Sequence, residues 1–95
     1  MASLQSIIQK RKGKAGNWRV EQVTRDSDHV RCCQLWHYST RMLEWRELNP
    51  RDTDYLFYSL GWGSVSDQRG MNTAFRLLDL QLYYSRAGGA EINGN

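Results

Sequence analysis

Apolar residues recur at helical spacing in one stretch of this chain, Met71, Ala74, Phe75 and Leu78, with Arg69, Asn72, Thr73 and Arg76 falling on the other side. Ahead of that stripe the chain reads in twos, as short runs rich in Val, Trp, Tyr and Phe separated by polar turn clusters. A lone amphipathic helix must bury its stripe against another element, and strands joined by short turns pair antiparallel. The pattern therefore predicts an α+β domain: a small antiparallel sheet of four to six strands with one amphipathic helix packed on one face. Ninety-five residues allow a single domain with a thin core.

Trp18–Thr24 reads as the first strand and Arg25-Asp26-Ser27-Asp28 as a turn, because short polar side chains bond their own backbone. A second strand opens at His29 or Val30 and runs to Tyr38, and a third spans Arg41–Leu48. A two-residue break at Ser39-Thr40 would pair Trp36 with Leu43 and Gln34 with Trp45 on an aromatic and aliphatic face, leaving His37 with Met42 and Leu35 with Glu44 on a mixed one. Ser-Thr is a poor two-residue turn, since neither residue favours positive φ, and a longer loop or a bulge shifts this register. Asn49-Pro50-Arg51-Asp52 is the next turn, followed by a strand over Asp54–Leu60. Gly61-Trp62-Gly63-Ser64 forms a joint into the helix, where Ser64-x-x-Asp67 fits a capping box with aspartate in place of the usual longer glutamate. Gly70 costs the helix about 1 kcal/mol relative to alanine. Leu80–Arg86 and Ala90–Ile92 close the chain as strands around a turn at Ala87-Gly88-Gly89.

The domain is expected over residues 18–92, with 93–95 a frayed tail and 1–17 a basic flexible leader. Ser3–Gln9 fits either a helical turn or a strand, and Lys10, Arg11, Lys12 and Lys14 give the leader its charge. The net charge is only +3, and acidic residues are interleaved with most of the arginines, so no basic stripe marks a nucleic-acid interface. No apolar run approaches the ~20 residues that span a bilayer. Two adjacent cysteines make no disulfide framework and fit a reducing, cytoplasmic setting.

Known chemistry finds little purchase. Cys32 and Cys33 point to opposite faces of a strand, and Cys33 and His37 stand ~13 Å apart along it, so His29, Cys32, Cys33 and His37 do not converge on a metal. Gly61-x-Gly63 lacks the third glycine and the crossover of a dinucleotide fingerprint, leaving no cofactor signature. Two histidines with scattered serines and aspartates have no distinctive catalytic spacing, so the expectation is a non-enzymatic protein.

His37-Tyr38-Ser39-Thr40 at a strand turn, then Gly61-Trp62-Gly63-Ser64-Val65-Ser66 and Met71-Asn72, resembles a pattern in small uncharacterised accessory proteins of tailed bacteriophages. The resemblance covers roughly Leu35 to Phe75. It implies a phage-encoded accessory protein working in the cytoplasm of an infected bacterium, and it carries over no catalytic residue. Where that family usually has a basic residue before the helix, this chain has Asp67-Gln68.

Four tryptophans and five tyrosines exceed what so thin a core requires, and surplus Trp, Tyr and Arg compose recognition surfaces. The predicted function is binding: inhibition of a host defence protein or sequestration of a small nucleotide signal, with a nucleic-acid-binding module as the alternative. The predicted surface combines the Trp62, Ser64 and Ser66 joint with Arg69 and Arg76 of the helix and with Tyr84 and Arg86 of the strand that returns to it. The basic leader would steer an acidic partner, and a second uncovered sheet face favours a homodimer or higher homo-oligomer.

Overall fold

The computed structural model describes residues 2–24, 26, 29–49, 52–86 and 89–94. It is an α+β arrangement of a five-stranded antiparallel meander, a two-stranded sheet and two helices. In chain order these are α1 (Leu4–Lys10), β1 (Gly13–Ala15), β2 (Trp18–Thr24), β3 (Arg31–His37), β4 (Thr40–Asn49), β5 (Asp52–Phe57), α2 (Val65–Leu77), β6 (Leu82–Ser85) and β7 (Glu91–Gly94). The meander keeps sequence order, and β6 pairs with β7 apart from it.

The stripe read from the sequence forms the helical half of the core. Met71, Ala74, Phe75 and Leu78 are buried together with Val20 and Trp18 of β2, Cys33 and Leu35 of β3, and Leu43 and Trp45 of β4. Phe75 meets Phe57 of β5 edge-on, with ring centroids 5.8 Å apart. Gly70 has a packing reason: a Cβ there would lie 2.0 Å from Cζ2 of Trp18, so the helix approaches β2 closely only where its side chain is a hydrogen.

Parts of the expected frayed tail and flexible leader are folded: β7 carries Asn93 and Gly94 opposite Tyr83 and Leu82, and the leader forms a helix and a strand. Ser3 caps α1, accepting from the Ser6 N–H while Ser6 Oγ accepts from the Ser3 N–H, each at 3.1 Å. The helix carries Ile7 and Ile8 into the core, a gain that a solvated arm lacks. Lys10, Arg11, Lys12 and Lys14 remain exposed on its end and on β1.

The β3–β4 register also differs from the expectation. The turn falls on Tyr38 and Ser39, with Tyr38 taking the left-handed conformation at φ 55°. Tyr38 N–H donates to the Asn17 carbonyl at 2.7 Å and its hydroxyl accepts from Asn17 Nδ2 at 2.9 Å, so the neighbouring β1–β2 turn holds it there. Cys33 then pairs with Trp45 and Leu35 with Leu43; a bulge leaves Met42 unpaired before Trp36 meets Arg41 and His37 meets Thr40. The face turned to the helical core is therefore the one carrying Cys33, Leu35 and His37, although Cys32 and Gln34 on the other face are buried as well. Trp36 lies on the other face, where the Arg19 guanidinium sits 4.7 Å from its ring.

The turn residues Pro50 and Arg51 lie outside the described residues, as do Arg25, Ser27, Asp28, Ala87 and Gly88. Among the described residues, no helix is long and apolar enough to cross a membrane.

Candidate functional site

Everything at the start of α2 is organised around one carboxylate. Ser64, in an extended conformation, caps the helix by accepting from the Asp67 N–H at 3.0 Å, and Asp67 Oδ2 accepts in return from the Ser64 N–H at 3.2 Å. Aspartate is one methylene shorter than the usual partner in this box, yet the reach is sufficient. The same Oδ2 accepts from the Trp62 N–H at 2.9 Å. Gly61 makes that possible: its φ of 71° is left-handed, and a Cβ there would meet the Asp67 carboxylate at 2.8 Å.

The other oxygen reaches the sheet. Asp67 Oδ1 lies 2.6 Å from Nδ1 of His37, at the end of β3, and the pair is only 1% and 4% exposed. Nε2 of the same ring lies 3.2 Å from Ser66 Oγ. Trp18 stacks flat on the imidazole, with centroids 3.9 Å apart and planes 7° from parallel, and Tyr38 tilts against it at 4.7 Å. His37 thus bolts the helix start to the meander while leaving one nitrogen facing a hydroxyl. Burial alone would push the Asp67 carboxyl up, but hydrogen bonds from Trp62, His37 and Ser64 outweigh it and hold the group below the ordinary carboxylate value.

Of the residues singled out by sequence, Trp62, Ser64, Ser66 and Arg86 come together. Trp62 is 88% exposed although its own N–H is tied to a buried carboxylate. Arg86 returns from β6 and donates through Nε to the Gly63 carbonyl at 2.8 Å, which commits one guanidinium donor of five to the joint. Ser64 is a structural cap. Ser66, Arg69 and Trp18 line one groove of about 460 Å³ with Leu4, Val65, Gly70 and Thr73. Arg76 lies elsewhere, in a groove with Asn72, Asp79, Leu80 and Tyr83.

Tyr84 is not a surface residue. It is fully buried, its hydroxyl donates to the Leu60 carbonyl, and Asn72 brackets its strand by accepting from the Tyr84 N–H at 2.7 Å and donating to its carbonyl at 3.3 Å. Burial and the nearby Asp67 charge push its phenol up, and the ring serves as a wedge beneath the joint. Its exposed neighbour on β6 is Tyr83.

Sequence reasoning missed His37, Asp67 and Trp18 as site residues. Each had a local explanation, as strand, cap and strand residue, and their convergence joins positions 30 and 19 residues apart. Among the described residues, no three His, Cys, Asp or Glu side chains gather as metal ligands. No protein-family model matches the chain, and no match was found among curated proteins or solved structures.

Proposed function

We propose that this chain is a binding protein whose working surface is the joint between β5 and α2, and that its partner is a protein carrying an acidic, apolar-rimmed patch. The observation that carries the reading is Trp62: a large aromatic ring 88% exposed on backbone that is fixed from within by Asp67. Exposed tryptophan on rigid backbone loses little entropy on docking and is the residue type most enriched at interface hot spots. Arg86, exposed and anchored to Gly63, adds a guanidinium fork suited to carboxylates. A ring standing this far out of the surface suits a macromolecular partner better than a small nucleotide, which needs a concave site burying most of its area.

The resemblance to tailed-phage accessory proteins supports a host factor, such as a defence protein, as the partner. The exposed Lys10, Arg11, Lys12 and Lys14 cluster would accelerate encounter with an acidic surface and lose that effect in salt. The test is affinity capture from bacterial host lysate with wild type, Trp62→Ala and Tyr83→Ala, analysing protein and small-molecule fractions. A protein retained by wild type and Tyr83→Ala but lost with Trp62→Ala supports the reading. Equal retention by all three, or a bound nucleotide alone, contradicts it.

A further inference from the structure

We infer that Ser66 is an activated nucleophile, with His37 as its general base and Asp67 as the positioning residue, and that the groove it lines accepts small carboxylic esters bearing an anionic group. This site shares Asp67 with the Trp62 joint and departs from the non-enzymatic expectation.

The geometry is that of a nucleophile, a base and an orienting group in series. Ser66 Oγ lies 3.2 Å from His37 Nε2, and His37 Nδ1 lies 2.6 Å from Asp67 Oδ1. With Asp67 ionised, Nδ1 carries the proton that it donates to Oδ1. In the neutral imidazole Nε2 is then the acceptor, and the Ser66 hydroxyl donates to it. Trp18 fixes the ring plane by stacking, and Asp67 is itself held by the Trp62 and Ser64 N–H groups. These supports fix the tautomer and the orientation before any ligand arrives.

Helix α2 supplies the remaining part. Of its first four amides, Asp67 N–H is bonded to Ser64 Oγ and Gln68 N–H to the Ser64 carbonyl, whereas those of Val65 and Ser66 have no acceptor within the helix. They sit at the positive end of the helix dipole beside the reacting hydroxyl, where an oxyanion would form. The exposed Ser66 opens on the 460 Å³ groove, whose one charged lining residue is Arg69, three positions further along the helix. That cation selects an ester carrying a carboxylate or phosphate.

The step balances without a cofactor. Ser66 Oγ attacks the ester carbonyl carbon as its proton passes to His37 Nε2. The tetrahedral intermediate expels the alcohol, which takes that proton, leaving an acyl ester on Ser66. Water then attacks the acyl carbon, giving its proton to Nε2, and collapse returns the proton to Ser66 Oγ and releases the carboxylic acid.

The experiment uses a fluorophosphonate probe and the 4-nitrophenyl esters of acetate and succinate on the full chain. Wild type should take up one phosphonyl group at Ser66, located by peptide mass spectrometry, at a rate at least about a hundredfold above Ser66→Ala. Ser66→Ala keeps the His37–Asp67 pair and should melt like wild type, so its inertness reads as lost chemistry. Arg69→Ala should lose a roughly tenfold preference for the succinate over the acetate ester. Labelling no faster than in Ser66→Ala, or spread over other hydroxyls, overturns the nucleophile; wild type without preference for the anionic ester overturns the substrate class.

Discussion

Two carboxylates in this molecule are almost equally buried and almost opposite in consequence. Asp67, at the junction of α2 and the meander, receives hydrogen bonds from His37, from the Trp62 and Ser64 N–H groups, and lies within its own helix cap. Glu44, 5% exposed in the middle of β4, has a side-chain amide as its partner: Gln34 Nε2, 3.0 Å away on the paired strand. The first draws donors from β3, a loop and a helix start, so its removal loosens three segments at once. The second spans two residues that the β3–β4 ladder already holds opposite each other. A buried charge organises a site when its donors come from separate segments of the chain, here β3, the loop and the helix start.

The largest effect should follow Asp67→Asn. It leaves the Trp62, Ser64 and His37 donors competing for one oxygen, and calorimetry or urea denaturation at pH 7 should give a loss of about 3 kcal/mol, as for other broken buried pairs. Because the folded-state carboxyl titrates below its unfolded value, the contribution is complete above roughly pH 4–5 and disappears as pH falls through the folded value. The variant should therefore lack this part of the wild type's acid sensitivity. A wild type and variant that lose stability in parallel from pH 5 to 3 would mean that the Asp67 charge contributes no more than its amide replacement.

Next is Gly70→Ala. In an ordinary helix this exchange stabilises, but here the new methyl collides with Trp18, which also stacks on His37. A loss of about 1–3 kcal/mol by thermal melting is expected, and a gain would mean that the helix lies further from β2. Glu44→Gln keeps an oxygen for Gln34 and should cost no more than about 1 kcal/mol, the worth of one hydrogen bond. Arg86→Ala should be smallest, below about 1 kcal/mol in stability as for a surface change, while still weakening partner capture. A clear fall in melting temperature with capture intact would make Arg86 a structural brace on Gly63.

Much of the fold is legible locally. The Met71, Ala74, Phe75 and Leu78 stripe, the Ser64–Asp67 box and the Trp18–Thr24 strand are each set by neighbours within a few residues, and each stands where expected. The hairpin register was not legible. It depends on Tyr38 adopting positive φ, a conformation stabilised by Asn17, 21 residues earlier. The expected surface took Tyr84, yet strand alternation carries no sign for which of Tyr83 and Tyr84 faces the helix; Asn72 and the Leu60 carbonyl decide it and bury Tyr84. Asp67 read as a cap and is one. Its second oxygen, free of that duty, finds His37 only after folding.

The proposed surface needs backbone that is rigid beneath the exposed Trp62 side chain, and amide hydrogen exchange at Trp62 measures this directly. A loop residue 88% exposed would ordinarily exchange near the unprotected rate. Since its N–H donates to buried Asp67, protection of at least about a hundredfold is expected in wild type and in Glu44→Gln, falling close to none in Asp67→Asn. Unprotected exchange at Trp62 in the wild-type chain would mean that Asp67 does not hold this backbone.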